Sequence, residues 1–241
     1  MLDLSFAPEL RFFLPSRHRS GTVRVEGDST STLGHVVQSL GVPLTEVGAL
    51  HVDGRVTPAS HIPAPGETVQ VLPVEYPQRL PFAEPRFLLD VHLGTLARRL
   101  RLLGLDTAYD NDRDDPSLFR QANAEDRVLL TRDRGLLSRS GLRAGGYVRE
   151  QRPAEQLREV LERFAPPLRP WTRCPACNGE LVHAAKEEVR EDLEAGTRAT
   201  YDVFARCSGC ERVYWPGAHH SRLVQIVREA QELVSARSGP A

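Results

Sequence analysis

The chain has 241 residues, more than the roughly 100 to 200 of a typical single domain, which favours two or three smaller domains. Its 31 basic and 32 acidic residues leave a net charge of −1, which excludes a surface that is positive all over for nucleic acid. No apolar run approaches the roughly 20 residues of a membrane span, and MLDLSFAPELRFF carries acids where a secretory signal is basic, so we expect a cytoplasmic protein without membrane contact.

Residues 1–75 have the pattern of a small α+β domain. Two strands, a helix and two further strands are predicted, in the order RFFLPS, GTVRVEG, STLGHVVQSLGVP, ALHVDGRV and GETVQVLPV. This is the order of a β-grasp fold, and the segment resembles the ubiquitin-like and sulfur-carrier proteins. A sulfur carrier needs a free C-terminal Gly-Gly, whereas this chain continues, so that activity is not expected. Two roles stay open for the domain: a binding or substrate-guiding role, and a merely stabilising one.

A proline-rich linker over residues 76–85 separates this domain from the next. Proline recurs at every fourth position through PVEYPQRLPFAEP, a pattern that favours extended backbone. Residues 86–168 then alternate strands and helices, beginning with RFLLD and the amphipathic HLGTLARRLRLLG. This alternation predicts a parallel sheet covered by helices, whose functional residues lie at the carboxyl ends of its strands.

Acidic residues follow the strands of this segment. Asp90 ends RFLLD, Asp133 ends RVLLTRD, and Asp114 and Asp115 open the helix after the second strand. Because the carboxyl ends of parallel strands meet at one edge of a sheet, we expect these acids to converge. Carboxylate oxygens suit Mg²⁺ and Mn²⁺, and such an ion holds together carboxylates that would otherwise repel one another. The sequence therefore predicts a divalent metal site, as metal-dependent nucleases have.

Each acid also has a purely structural interpretation. Asp90 could cap the following helix, Asp114 or Asp115 could cap the helix that has Pro116 in its first turn, and Asp133 could belong to a turn. Thr131 lies two residues before Asp133, and its hydroxyl could hydrogen-bond a carboxylate or a phosphate. The coincidence of three acids at strand exits favours the metal site.

The four cysteines form two identical pairs in residues 169–241. CPAC contains Cys174 and Cys177, and CSGC contains Cys207 and Cys210, with 29 residues between the pairs. Two such knuckles complete a tetrahedral Zn²⁺ site, and the intervening residues fit the β-hairpin of a zinc ribbon. Because four thiolates close the coordination sphere, the ion would be structural rather than catalytic.

Aromatic side chains flank the two knuckles. Trp171, Tyr214 and Trp215 could stack on unpaired bases, or they could build the core of the small zinc module. Spacing alone does not separate these two interpretations. An amphipathic helix follows in SRLVQIVREAQELVSA, and the terminal SGPA is expected to fray.

Three stretches together carry a family resemblance. FLLDVHLGTLARRLRLLGLDTAY, EDRVLLTRDRGLL and the two-CxxC segment ending in CERVYWPGAHH resemble the mutator-seven C-terminal RNase family, a branch of the PIN-like nucleases. The resemblance covers residues 86 to about 222, and a ubiquitin-like domain in front is an arrangement that this family shows. It implies a PIN-like fold and metal-dependent hydrolysis of RNA, with Asp90, Asp133 and Asp115 as metal ligands. Asp114 is the rival of Asp115, and Glu125 or Asp126 is a candidate fourth acid.

Several basic side chains are candidates for RNA contacts. Arg98, Arg99 and Arg101 lie off the apolar stripe of their helix, where they could touch phosphates or simply form a solvated face. Arg132 and Arg134 flank Asp133 and are better situated for a scissile phosphate. Three histidines have weaker assignments. His92 is more typical of a packed residue, and His219 and His220 resemble a short motif of the family.

The sequence thus predicts an α/β protein of three parts: a ubiquitin-like β-grasp domain, a PIN-like nuclease domain and a C-terminal zinc ribbon. The expected function is hydrolysis of single-stranded RNA by a Mg²⁺ or Mn²⁺ enzyme with structural zinc. Two alternatives remain: a catalytically weak RNA-binding module, and an adaptor that engages a protein through the β-grasp domain. No pattern specifies an oligomeric state.

Overall fold

A computed structural model describes residues 1–26 and 30–237 of the chain. The terminal SGPA, expected to fray, lies outside these residues. The chain forms two compact units: unit 1 combines Met1–Phe82 with Arg113–Arg149, and unit 2 combines Ala83–Asp112 with Glu150–Ala241. Among the described residues, no helix is both long and apolar enough to cross a membrane.

The N-terminal part of unit 1 contains a five-stranded sheet and one α-helix. Its elements are β1 (Leu2–Phe6), β2 (Val23–Val25), α1 (Leu33–Ser39), β3 (Val47–Val52), β4 (Arg55–Val56) and β5 (Thr68–Pro73). The strand order is β2-β1-β5-β3-β4, with β1 and β5 parallel and the other neighbours antiparallel. This topology confirms the predicted β-grasp domain.

The first predicted strand is wrong. RFFLPS does not pair in the sheet; most of it belongs to the 3-10 helix Pro8–Phe13 and the turn that follows. The pairing strand is LDLSF, in which alternate side chains are buried. Pro8 explains the difference, since its fixed φ suits the first position of a helical turn and ends the strand before it. The aromatic pair Phe12 and Phe13 is therefore carried by a helical turn.

Local signals explain the remaining elements of this domain. Thr32 caps α1, its side chain accepting a hydrogen bond from the His35 backbone N–H at 3.3 Å. The turn between β3 and β4 has positive φ at both central residues, 47° at Asp53 and 79° at Gly54, as a type I′ hairpin requires. The apolar faces of these elements enclose one core, which includes Leu2, Leu4 and Val37.

The segment after the proline-rich stretch alternates strands and helices as predicted. Its elements are β6 (Phe87–Leu89), α2 (Gly94–Leu102), β7 (Thr107–Tyr109), α3 (Asp115–Ala124), β8 (Val128–Thr131), α4 (Arg134–Leu137), β9 (Gly145–Tyr147) and α5 (Pro153–Phe164). In unit 2, β6 and β7 pair in parallel; in unit 1, β8 and β9 do so. Every residue of β6 and β8 is buried, as strands of a parallel sheet with covered faces are.

The C-terminal part of unit 2 is a small antiparallel sheet followed by a helix. Its elements are β10 (Leu181–Ala184), α6 (Ala195–Thr200), β11 (Phe204–Cys207), β12 (Val213–Tyr214) and α7 (His220–Arg237), with strand order β10-β11-β12. The predicted hairpin is present as β10 and β11, and its long connection contains α6. A core of Ala184, Val189, Leu193 and Phe204 holds this connection against the strands.

Unit 1 is joined internally by a buried carboxylate. Glu46, only 4% exposed, ends the 3-10 helix Leu44–Glu46 of the β-grasp domain. Its Oε1 accepts a hydrogen bond from the backbone N–H of Tyr147, in β9, at 2.8 Å. The Tyr147 ring packs on the β-grasp core and lies 5.3 Å from the ring of Phe13. The β-grasp domain and the segment Arg113–Arg149 are therefore in contact within unit 1 through Tyr147.

Replacing Glu46 by Ala should destabilise unit 1 by about 1.5–3 kcal/mol, because a buried hydrogen bond to a charged acceptor is lost. Glu46→Gln keeps an acceptor oxygen and should cost less. The measurement is the free energy of unfolding in urea, with the exposed Glu75→Ala as control. Equal stability of Glu46→Ala and Glu75→Ala would contradict this role.

Candidate functional site

Asp90 lies directly after β6, at the strand's carboxyl end. It is 6% exposed, and its Oδ1 accepts a hydrogen bond from the backbone N–H of Val91 at 2.6 Å, capping the 3-10 helix Val91–Leu93. Tyr109 Oη donates to the carbonyl of Val91 at 2.9 Å and fixes the turn. A buried carboxylate requires such polar partners. The side chain is thus held in one orientation, and its role as a metal ligand stays a prediction.

The structure distinguishes the two acids before Pro116. Asp114 is the N-cap of α3, and its Oδ1 accepts from the backbone N–H of Ser117 at 2.9 Å. Hydrogen bonding by Ser117 lowers the pKa of Asp114. Asp115 is the first residue of the helix and does not serve as its cap. Capping does not by itself choose between the two acids, and Asp115 stays the predicted metal ligand with Asp114 as its rival.

Asp133 lies between β8 and α4 and caps that helix. Its Oδ1 accepts from the backbone N–H groups of Gly135 at 2.6 Å and Leu136 at 3.2 Å. The hydroxyl of Thr131, which is fully buried, accepts from the Asp133 N–H at 2.9 Å. Thr131 therefore orients the backbone of Asp133.

The four cysteines come together within unit 2. Their Sγ atoms all lie within 4.8 Å of one another, and in the described part of the chain no other three or more His, Cys, Asp or Glu side chains bring their ligand atoms this close together. Cys174 Sγ is 3.7 Å from Cys210 Sγ, and Cys177 Sγ is 3.3 Å from Cys207 Sγ. Tetrahedral zinc with bonds of about 2.3 Å separates its sulfurs by about 3.8 Å, whereas a disulfide needs about 2.05 Å. The donor set and its spacing therefore fit a zinc ion, and the sheet around it fits a zinc ribbon.

Hydrogen bonds to sulfur prepare the site for a cation. Burial opposes ionisation of Cys174, but hydrogen bonds from Tyr214 and from the backbone N–H groups of Cys177 and Ala176 outweigh it and lower the pKa of Cys174 to about 6. Burial raises the pKa of Cys177 to about 12, and the neighbouring thiols add to the effect. A bound cation would stabilise all four thiolates at once.

Arg101 has a structural role, which corrects the prediction that it contacts RNA. It is 3% exposed, and its guanidinium donates to three backbone carbonyls, those of Thr107 at 2.9 Å, Pro175 at 3.1 Å and Ala176 at 2.8 Å. Two of these carbonyls belong to the CPAC knuckle. Arg101 therefore ties α2 to the cysteine site and has no surface for a phosphate.

The other predicted phosphate-binding arginines differ in their surroundings. Arg98 and Arg132 are exposed, whereas Arg99 is half-buried. Arg134 turns towards the β-grasp domain of its own unit: its guanidinium lies 4.3 Å from the centre of the Phe12 ring, and its Nη1 is 3.4 Å from the Phe13 carbonyl. Arg132 is thus the more accessible of the two residues that flank Asp133.

The candidate fourth acids are engaged elsewhere. Glu125 pairs with Arg127 at 2.5 Å and accepts from Gln121 at 2.9 Å, and Asp126 pairs with Arg143. Both precede β8, so they lie at the end of the strand opposite to Asp133.

His92, which the sequence analysis called more typical of a packed residue, is exposed in the structure.

Two family models match the chain. The Mut7-C RNAse domain matches residues 85–227, and the Mut7-C ubiquitin domain matches residues 1–79. The chain belongs to the Mut7-C RNase family. Both the family and the order of its two domains agree with the prediction from sequence, and the family name points to a nuclease. No curated protein and no solved structure matches the chain.

Sequence reasoning missed Asn178, which follows the first knuckle. Its backbone lies in the left-handed region at φ 73°. Its side chain accepts from the backbone N–H of Thr107 at 2.9 Å and donates to Asp106 at 2.8 Å. The Asn-Gly pair after CPAC is a turn signal that could have indicated the backbone conformation, but not these contacts.

Gly179 should be required for zinc affinity. A Cβ there would lie 2.9 Å from Cys207 Sγ and 3.3 Å from Cys177 Sγ, whereas a Cβ at Gly209 would approach no closer than 3.7 Å. We expect Gly179→Ala to weaken zinc binding roughly 10- to 100-fold and Gly209→Ala to change it little. Competition with a chromogenic chelator measures both, and equal affinities would show that space at Gly179 is not limiting.

Proposed function

We propose that this protein is a metal-dependent ribonuclease that hydrolyses phosphodiester bonds of single-stranded RNA. The observation that carries the proposal is the match of residues 85–227 to the Mut7-C RNAse domain. The proposal is supported by acids at strand exits and helix starts, where α/β proteins commonly carry their functional residues.

We assign Asp90, Asp115 and Asp133 as the ligands of Mg²⁺ or Mn²⁺. Carboxylate oxygens are the ligands that these hard cations prefer. Asp90 and Asp133 already accept backbone hydrogen bonds, which restrict side-chain rotation. When bound, the ion would supply charge neutralisation at the phosphate and an acidified water.

The remaining residues support this chemistry in different ways. Thr131 orients Asp133 through its backbone, and Asp114 holds the start of α3, from which Asp115 extends. Arg132 and Arg98 are exposed and are our candidates for phosphate contacts. The zinc ion that we propose at the four cysteines would hold the ribbon together without taking part in hydrolysis.

A second candidate function is RNA binding with weak catalysis, which is favoured by the exposed tryptophans of unit 2. A protein partner is also in keeping with the Mut7-C ubiquitin match at residues 1–79. These alternatives differ from the ribonuclease in one respect: neither requires the acids for its activity.

Asp90→Asn and Asp133→Asn should each reduce Mn²⁺-dependent cleavage of an end-labelled single-stranded RNA by roughly 100-fold or more, because a metal ligand loses its charge. Asparagine caps a helix as well as aspartate does, so Asp133→Asn leaves α4 capped. Asp133→Ala would remove both cap and charge and is less informative.

The matched control is Asp202→Asn, in which an exposed aspartate paired with Lys186 at 2.7 Å undergoes the same chemical change. It should cleave like the unmodified chain. Cleavage without divalent metal, or equal cleavage by all variants, would refute the ribonuclease assignment. Retained zinc content in each variant verifies that the fold is intact.

A further inference from the structure

Unit 2 contains a cleft of about 640 Å³ beside the cysteine site. Its aromatic and basic lining residues are Trp171, Arg173, Phe204, Tyr214, Trp215, His219 and His220. Trp171 and Trp215 are the only tryptophans of the chain. The volume lies within the range of ligand-binding pockets, which run from about 300 to 1,000 Å³.

The tryptophans are not part of the ribbon's core. That core is built from Ala184, Val189, Leu193 and Phe204, with Tyr201 and Val213 packed against it. Trp171 is 39% exposed and Trp215 is 40% exposed. Of the two interpretations that the sequence left open for these aromatics, the structure therefore favours a binding surface for the tryptophans.

The backbone holds Trp171 in an unfavourable conformation. Its φ is 66°, in the left-handed region that a bulky side chain rarely adopts. The backbone N–H of Trp171 donates to the carbonyl of Leu102 at 3.0 Å, and its ring lies 5.1 Å from that of His220. Such strain is concentrated at functional sites, where the surrounding structure enforces it. Here it accompanies a tryptophan whose ring stays partly open to solvent.

The cleft lining is mostly apolar and aromatic, and the one permanently charged residue among the described lining residues is Arg173. Arg173, His219 and His220 line it, and none of the described lining residues is acidic. Arg173 Nη2 also lies 3.8 Å from Asp106. A phosphate would pair with Arg173, and the aromatic faces would accept a base.

We propose that this cleft binds an unpaired base of single-stranded RNA. The base stacks on the exposed tryptophan faces, and a flanking phosphate meets Arg173. The choice of RNA rests on the proposed ribonuclease function, whereas the stacking site itself rests on the cleft. A hydrophobic peptide would use the aromatic faces but would make no use of Arg173.

Tyr214 connects the cleft to the cysteine site. Its side chain lines the cleft, and its hydroxyl lies 3.0 Å from Cys174 Sγ. One wall of the base site is therefore fixed by the first knuckle. RNA affinity should depend on an intact cysteine site even though the cysteines do not touch the RNA.

The test uses the intrinsic fluorescence of the full-length Asp133→Asn chain, which cannot consume the RNA by the proposed mechanism. Because both tryptophans line the cleft, the whole tryptophan emission reports on it. Oligouridylate added without divalent metal should quench most of this emission. An abasic phosphate oligomer of equal length should not.

Substitutions then locate the site, with binding followed by the anisotropy of a labelled oligouridylate. Trp215→Ala should weaken binding roughly tenfold or more, the effect of losing one stacked base. Trp171→Phe keeps a ring and should bind more tightly than Trp171→Ala. The matched control is Val182→Ala, an exposed apolar residue of the same ribbon outside the cleft lining, which should bind like the parent chain.

Two results would overturn the base-binding site. Equal quenching by the abasic oligomer would show that only charge is recognised, and no quenching would assign the cleft to another occupant such as a protein segment. Failure of the ribonuclease is distinguishable, since oligouridylate would still quench the tryptophans although the unmodified chain cleaved nothing. Circular dichroism and zinc content verify that the variants fold.

Discussion

The hydrogen bonds of the buried Arg101 connect α2 and β7 to the cysteine site of unit 2. One guanidinium joins α2 to the carbonyl of Thr107, at the start of β7, and to two carbonyls of the CPAC knuckle. Burial lowers the pKa of Arg101, and the nearby Cys177 and Cys174 oppose that shift when they are ionised. Four thiolates around a divalent ion would carry a net charge of −2, so a buried cation beside them is compensated by its surroundings. The ionised cysteines thus stabilise the charge of the buried arginine. The arginine in turn positions the CPAC knuckle through its hydrogen bonds.

Inside unit 1, the side chains of Arg134 and Arg149 contact an aromatic ring of the β-grasp domain. The guanidinium of Arg134 lies over the Phe12 ring, and that of Arg149 lies 5.6 Å from its centre. Cation–π contacts of this kind contribute about 0.5–2 kcal/mol each. Arg134 immediately follows Asp133, so the β-grasp domain contacts the residue next to a proposed metal ligand. A stabilising role for this domain, one of the two roles left open by the sequence, therefore has a specific physical basis.

Sequence patterns predicted those features that local physics determines. The helix in STLGHVVQSLGVP, the amphipathic helix in HLGTLARRLRLLG and the two CxxC pairs each depend on a few neighbouring residues, and the structure contains all three. The failures depend on distant contacts. An arginine on the polar side of a helix is normally solvated, and only the carbonyls of a segment more than 70 residues away bury Arg101. Likewise, no local signal indicates that Arg113–Arg149 packs with the β-grasp domain.

The structural and catalytic interpretations of the acids do not exclude each other. A carboxylate has two oxygens with about four acceptor positions, and helix capping occupies only some of them. At Asp133, two backbone N–H groups bind Oδ1 and oppose rotation of the side chain. A metal ligand gains from this arrangement, because the side chain is already ordered before the ion binds. Capping at a strand exit is therefore a way to prepare a ligand, and Asp115 differs from Asp133 in lacking it.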